Sequence, residues 1–161
     1  MLFRSAEWHY SLSTDVLGRL VEVVSGQPYD VFLQERIFKP LGMVDTSFEV
    51  SDAKWDRFAV AYTPDAGAVR PMKDPESFGN TIFAPTSYYK AGKKYFSGGA
   101  GLTSTIRDYS RFAQMLINGG TLGGVRLLSP KTVELMASSH TSDIPPNALG
   151  LIGEGGGFGL G

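Results

Sequence analysis

Apolar residues recur at helical spacing at Val16, Leu17, Leu20, Val23 and Val24, with Arg19 and Glu22 on the opposite side. That spacing predicts a helix with one apolar face. Ser11 or Ser13 stands where a cap is needed. Asp15 falls in the first turn, where the helix dipole favours a negative charge, and Gly26 closes the far end. After Pro28 a second helical pattern runs from Tyr29 to Phe38, with Tyr29, Phe32, Leu33 and Ile37 inward, and Pro40 is expected to stop it. Leu41-Gly42-Met43 reads as an apolar turn, and Thr46 to Val50 as a short strand.

The pattern then weakens. Residues 58–62 and 68–72 alternate as a hairpin would, around Pro64-Asp65-Ala66-Gly67. From Lys73 to Lys94 there are prolines and aromatics without a period, which predicts a long irregular loop packed over another surface. Order returns with a third helix, capped by Ser104 or Thr105, with Asp108 early in it. Its expected buried stripe is Ile106, Tyr109, Phe112, Ala113, Leu116 and Ile117. Asn118-Gly119-Gly120 ends this helix, and Gly123-Gly124 reads as a hairpin turn. Ser129-Pro130 opens a fourth helix, burying Val133 and Leu135 or Met136. The last residues, Leu149 to Gly161, are glycine-rich and stop on an incipient apolar strand, while Tyr10 arrives before any supporting element. Both ends are expected to be cuts within one larger domain, of which residues 1–161 are a part.

Composition removes several classes of function. The 161 residues carry a net charge of −1, which leaves no basic footprint for nucleic acid. Lys93-Lys94 is an isolated basic pair. There is no cysteine, and His9 and His140 are far apart in sequence, so no metal site is expected. No apolar run reaches the roughly 18 residues of a membrane span, so no membrane segment is expected in this chain. The first residues lack the apolar core of a signal peptide, and the compartment is left open.

The candidate chemistry begins at Tyr10, immediately ahead of the first helix. A helix can hold such a phenol at a fixed point. An aromatic there also packs as an ordinary hydrophobic staple, and spacing alone leaves both readings open. Neither a Gly-x-Ser-x-Gly elbow nor the Gly-Lys-Ser/Thr ending of a phosphate loop occurs, so nucleotide binding is not expected. Ser-x-x-Lys occurs at Ser51–Lys54 and Ser87–Lys90. On a helix that spacing lets a lysine take the serine's proton, provided the lysine is desolvated. Ser51 reads as a cap or turn with Lys54 in water, and Ser87 as part of a Pro-flanked aromatic loop, so both are expected to be decoys. Lys131-Thr132-Val133 falls inside a helix and carries no third-motif role.

Four segments together resemble the serine β-lactamase-like family: class C β-lactamases, penicillin-binding DD-peptidases and the related serine esterases. They are Trp8 to Arg19, Ile37 to Thr46 with its Pro-Leu-Gly-Met-x-Asp-Thr string, Ser97 to Tyr109 with Gly-Gly-x-Gly-Leu-x-Ser-Thr, and Leu127 to Val133. They cover nearly the whole chain, in the family's order. The resemblance implies an α/β (α+β) fold of β-lactamase/transpeptidase type, here mainly its helical part with loops and short strands.

It also implies acyl transfer through three motifs, of which only the tyrosine motif matches, at Tyr10-Ser11-Leu12. Tyr10 is then the catalytic tyrosine. Ser11, Leu12, Ser97, Gly98 and Gly99 are the substrate-binding candidates. Leu12 replaces the asparagine typical of β-lactamases, which leans toward the esterase branch. The family's Ser-x-x-Lys would precede Met1 and its third motif would follow Gly161, so the chain alone is expected to be inactive. The substrate implied is a small ester or β-lactam-like amide, and no cofactor is implied. Two alternatives stay open: a non-catalytic binding or assembly protein of the same fold, and an unrelated helical interaction domain.

Overall fold

A computed structural model of the chain describes residues 12–90, 92–93, 95–141 and 159–160. The first helix, α1, spans Ser13–Ser25, and Gly26 closes it in the left-handed conformation at φ 69°. Leu12 is its N-cap residue and supplies no side-chain bond, so the expected cap at Ser13 is not made; Ser13 is the first helical residue. The turn to the next helix is pinned by Glu22, whose carboxylate accepts from the Tyr29 amide at 3.1 Å.

The second helical run does not stop at Pro40. It comprises α2 (Tyr29–Leu33), a π-helical turn over Gln34–Phe38, and α3 (Lys39–Leu41), ending at Gly42. Proline lacks an N–H and its ring crowds the preceding turn. The wider π turn just ahead of Pro40 takes up that mismatch, so the helix continues to Leu41. This run supplies half of the buried core, and the segment just after it adds Met43. Leu33, Phe38, Leu41 and Met43 are buried with Phe48 and Met115, and Leu41 is wholly inaccessible. Phe32, Ile37 and Tyr29 pack against them as expected.

The strand expected at Thr46 to Val50 is a single antiparallel bridge. Ser47 and Thr103 exchange backbone bonds of 3.1 and 2.8 Å. A 3-10 helix follows over Asp52–Arg57. The next hairpin pairs β1 (Tyr62–Asp65) with β2 (Ala68–Pro71) across an Ala66-Gly67 turn, so the expected turn residues Pro64 and Asp65 lie within the strand. The predicted long loop contains a second hairpin, β3 (Glu76–Phe78) with β4 (Thr81–Phe83), and a short helix α4 (Pro85–Tyr89). Arg70 ties the two hairpins together with a bidentate pair to Glu76 at 2.8 and 2.9 Å. The aromatics pack partly as expected. Phe96 lies 5.1 Å from Phe48 and Tyr89 lies 5.3 Å from Phe58, centroid to centroid, while Tyr88 and Tyr95 keep exposed rings.

Helix α5 spans Ile106–Ile117, capped by Thr105, whose hydroxyl accepts from the Asp108 amide. A third hairpin, β5 (Thr121–Leu122) with β6 (Val125–Arg126), turns at Gly123-Gly124 as predicted. Helix α6 covers Pro130–Ala137, with Ser129 capping the Thr132 amide. Lys131-Thr132-Val133 lies inside α6. Val133 and Met136 are half-buried, and Leu135 is exposed. Among the described residues, helices and three separate two-stranded sheets make an α+β arrangement. Of the predicted C-terminal strand only Gly159 and Leu160 are described; the rest of Leu149 to Gly161 lies outside the described residues.

Two helix faces differ from expectation. On α5, Ile106 and Ile117 are 92% and 78% exposed, and Tyr109 is also exposed. Phe112 and Leu116 pack against the core as expected, and the fully buried positions are Asp108 and Met115. Asp108 is the cause: its Oδ2 accepts from the Asp45 amide at 2.6 Å and the Thr46 hydroxyl at 3.0 Å, which rotates the acidic side inward. Thr46 also meets the Ser104 hydroxyl at 2.8 Å. On α1, Val16, Leu17, Leu20, Val23 and Val24 are all exposed, and the buried position is Gly18.

Asp45 joins this network from outside, pairing with Lys54 at 2.7 Å and Arg57 at 2.9 Å. The Arg57 guanidinium first, and Lys54 second, hold its carboxyl down from an ordinary 3.8 to about 2. A depressed carboxylate stabilises the fold above its unfolded value, and that contribution is lost as pH falls through its folded value. The window is therefore from pH 3.8 down to about 2. Urea unfolding of the parent chain and of Asp45→Asn should differ above that window and converge within it. A gap that stays constant down to the lowest pH would remove Asp45 from the account.

Candidate active site

The first turn of α1, which follows the tyrosine motif in sequence, and the glycine string are distant in the chain, and the fold brings these two together. Tyr10 and Ser11 lie outside the described residues. Leu12, the last residue of that motif, is the N-cap residue of α1 and is 73% exposed. Ser97, Gly98 and Gly99 lie across the first turn from it.

The approach is close because neither partner has a side chain at the crossing. A Cβ on Gly98 would stand 2.0 Å from the Thr14 carbonyl oxygen, and one on Gly18 would stand 3.1 Å from the Gly98 Cα. A Cβ on Gly99 would stand 2.7 Å from the Thr14 hydroxyl. Only glycine fits backbone laid on backbone in this way.

Polar contacts complete the crossing. The Ser97 hydroxyl donates to Asp15 Oδ1 at 2.5 Å and accepts from the Gly99 and Ala100 amides, each at 3.0 Å. One donor and two lone pairs are its whole capacity. The Tyr95 hydroxyl donates to the same Asp15 oxygen at 2.9 Å. These bonds favour the ionised carboxylate, so Asp15 sits below its ordinary value, chiefly through Ser97 and then Tyr95. In return Asp15 pushes the Tyr95 phenol up. Asp15 and Tyr95 were not singled out as site residues from the sequence. The signal at Asp15 was only that of a first-turn acid.

Both Ser-x-x-Lys strings are committed elsewhere. Lys54 bonds the Val44 carbonyl at 2.9 Å as well as Asp45, rather than standing free in water. Ser87 lies in α4 and not in a loop, its hydroxyl donating to the Ala84 carbonyl at 3.1 Å. Lys90 pairs with Asp52 at 3.1 Å and lies 5.0 Å over the Trp55 ring. Both lysines are paired with carboxylates, whereas a lysine acting as a base must be desolvated and free to meet its serine.

The concave space of about 560 Å³ beside Asp30, Phe38, Phe48 and Phe96 includes no residue of the α1 crossing. No group of acids and histidines suited to a metal ion occurs among the described residues. Nor is any described helix long and apolar enough to cross a membrane.

The α+β arrangement that carries this crossing is of the β-lactamase/transpeptidase-like class, as both the family model and the likeness to solved structures show. The sequence model of the Beta-lactamase family matches residues 5–161, and the chain belongs to that family of serine hydrolases. It is 38% identical over 111 residues to esterase EstB of Burkholderia gladioli, covering 65% of this chain and 28% of EstB. It is 31% identical over 134 residues to a putative D-alanyl-D-alanine carboxypeptidase of Escherichia coli strain K12, covering 80% of this chain and 30% of the relative. Among solved structures it resembles EstCE1, a hydrolase with promiscuous acyltransferase activity, at 29% identity and a TM-score of 0.73, over 96% of this chain and 40% of EstCE1. The chain thus spans well under half the length of these relatives.

Proposed function

We propose that this chain supplies the tyrosine side of a serine hydrolase that works through an acyl-enzyme on small esters or amides, with Tyr10 as general base. The observation that supports this most is the crossing of the Ser97–Gly99 string over the first turn of α1, directly after Tyr10-Ser11-Leu12 in sequence. Fixed backbone at that point anchors the first turn that follows the motif in sequence. The Ser97 hydroxyl and the Gly99 and Ala100 amides are already engaged with one another and with Asp15, so this segment serves a substrate by its shape beside the first turn of α1.

A free phenol has a pKa near 10 and is a poor base at neutral pH. Beside a lysine ammonium its ionised form is favoured. It then takes the proton of the attacking serine and returns one to the leaving group. The serine and lysine belong to the family's Ser-x-x-Lys motif. The engagement of Lys54 and Lys90 in ion pairs supports a nucleophile outside these 161 residues. Leu12 in place of asparagine, together with the likeness to a protein named as an esterase, favours ester over β-lactam substrates.

By itself, the 161-residue chain is expected to hydrolyse neither p-nitrophenyl acetate nor nitrocefin above background. Turnover that disappears in Ser51→Ala or Ser87→Ala would make one of those serines the nucleophile and overturn the proposal. The flanking coding sequence gives an independent check. A parent gene without Ser-x-x-Lys ahead of Tyr10 would point to a non-catalytic binding protein of this fold.

A further inference from the structure

An acid in the first turn of a helix ordinarily serves the helix's own amides. Asp15 Oδ1 instead takes two hydroxyls from a segment 80 and 82 residues further on, those of Tyr95 and Ser97. The Ser97 oxygen gathers in the Gly99 and Ala100 amides, so one carboxylate organises every polar bond described at the front of the crossing. Behind it, Gly98 rests on the Thr14 carbonyl and on Gly18. Contact at the back fixes the distance between the two segments. It does not fix sliding along the helix, and the carboxylate does.

We propose that Asp15 is a positioning residue of the catalytic site, clamping the Tyr95–Gly99 segment to the first turn of α1 so that this segment and the Tyr10 motif hold one geometry during turnover. This rests on the reading of Tyr10 as the catalytic tyrosine. Asp15 touches neither substrate nor reacting atoms in this role. Its effect passes through Ser97 and the Gly99 and Ala100 amides. The raised Tyr95 phenol gives the clamp a signature of its own.

The test uses Asp15→Asn, which keeps the shape and removes the charge, with Ser97→Ala and Tyr95→Phe each removing one arm. In the 161-residue chain labelled with ζ-13C tyrosine, the Tyr95 titration midpoint should fall toward that of free tyrosine in Asp15→Asn. The Gly99 and Ala100 amides should exchange about tenfold faster or more in both Asp15→Asn and Ser97→Ala. In a polypeptide that also carries the Ser-x-x-Lys motif, Asp15→Asn should lower kcat about tenfold to a hundredfold with KM nearly unchanged. An unmoved Tyr95 midpoint overturns the clamp. A shifted midpoint with unchanged kcat overturns the positioning role. Tyr10→Phe in that polypeptide separates the two readings: a full rate there refutes the function reading, while the Tyr95 and amide measurements still judge the clamp. If Asp15→Asn fails to fold, Ser97→Ala and Tyr95→Phe carry the same kinetic test.

Discussion

Tyr10→Phe, made in a polypeptide that joins this chain to the family's Ser-x-x-Lys motif, is expected to lower kcat for a p-nitrophenyl ester about 10²–10⁴-fold. The substitution removes one oxygen and keeps the ring. The apolar surface of the side chain is kept, and KM should move little. A residue that only staples a helix end would leave kcat intact and Tm almost unchanged, because loss of the hydroxyl does not touch apolar contact. Stopped-flow acylation distinguishes the two, with thermal melting on the same preparation as the control. The sign follows from the proposed role: if the phenol is the general base, its loss removes the group that accepts the serine's proton and returns one to the leaving group.

Gly98→Ala should be nearly as costly to activity, although it removes no chemical group. The added methyl would stand 2.0 Å from the Thr14 carbonyl oxygen, an atom of helix backbone that cannot swing aside. The 97–99 segment must therefore withdraw by more than an ångström. That strains or breaks the 2.5 Å bond from Ser97 to Asp15. Overpacking of this kind costs about 1–3 kcal/mol of stability, and displacement by about 1 Å near a reacting centre can cost about a hundredfold in rate. Gly98→Ala is thus expected to lose roughly a hundredfold in kcat and to unfold at lower urea. A variant with the parent's rate and midpoint would show that the crossing is looser than described.

Local signals were readable where one short stretch settles the outcome. Ser129-Pro130 opens α6 because hydroxyl and proline each suit their position in a first turn, and Thr105 caps α5 for the same reason. Gly123-Gly124 turns its hairpin through a local conformation, both residues at positive φ. The family string around Leu41-Gly42-Met43 became core, with Leu41 and Met43 buried.

What could not be read depends on partners distant in sequence. Periodicity says that α1 and α5 have an apolar side; it does not say which side meets the rest of the molecule. On α5 that choice is made by Asp108, whose acceptors answer to Asp45 and Thr46. On α1 it is made by Gly18, which has no hydropathy to display and matters because Gly98 lies against it. Asp15 gave only the mark of a first-turn acid because both its partners stand 80 or more residues away. The π turn before Pro40 and the β3–β4 hairpin were hidden differently. The first is an insertion into an otherwise ordinary helix, and the second is braced by Arg70 from the preceding hairpin.

The central claim is that these residues provide the tyrosine side of the site and that the attacking serine lies outside them. Covalent labelling tests it most directly. A polypeptide carrying this chain with its flanking sequence is treated with a fluorophosphonate ester, digested and mapped by mass spectrometry. The adduct is predicted on a serine of a Ser-x-x-Lys outside residues 1–161, with Ser51 and Ser87 unmodified. An adduct on Ser51 or Ser87 would contradict the account.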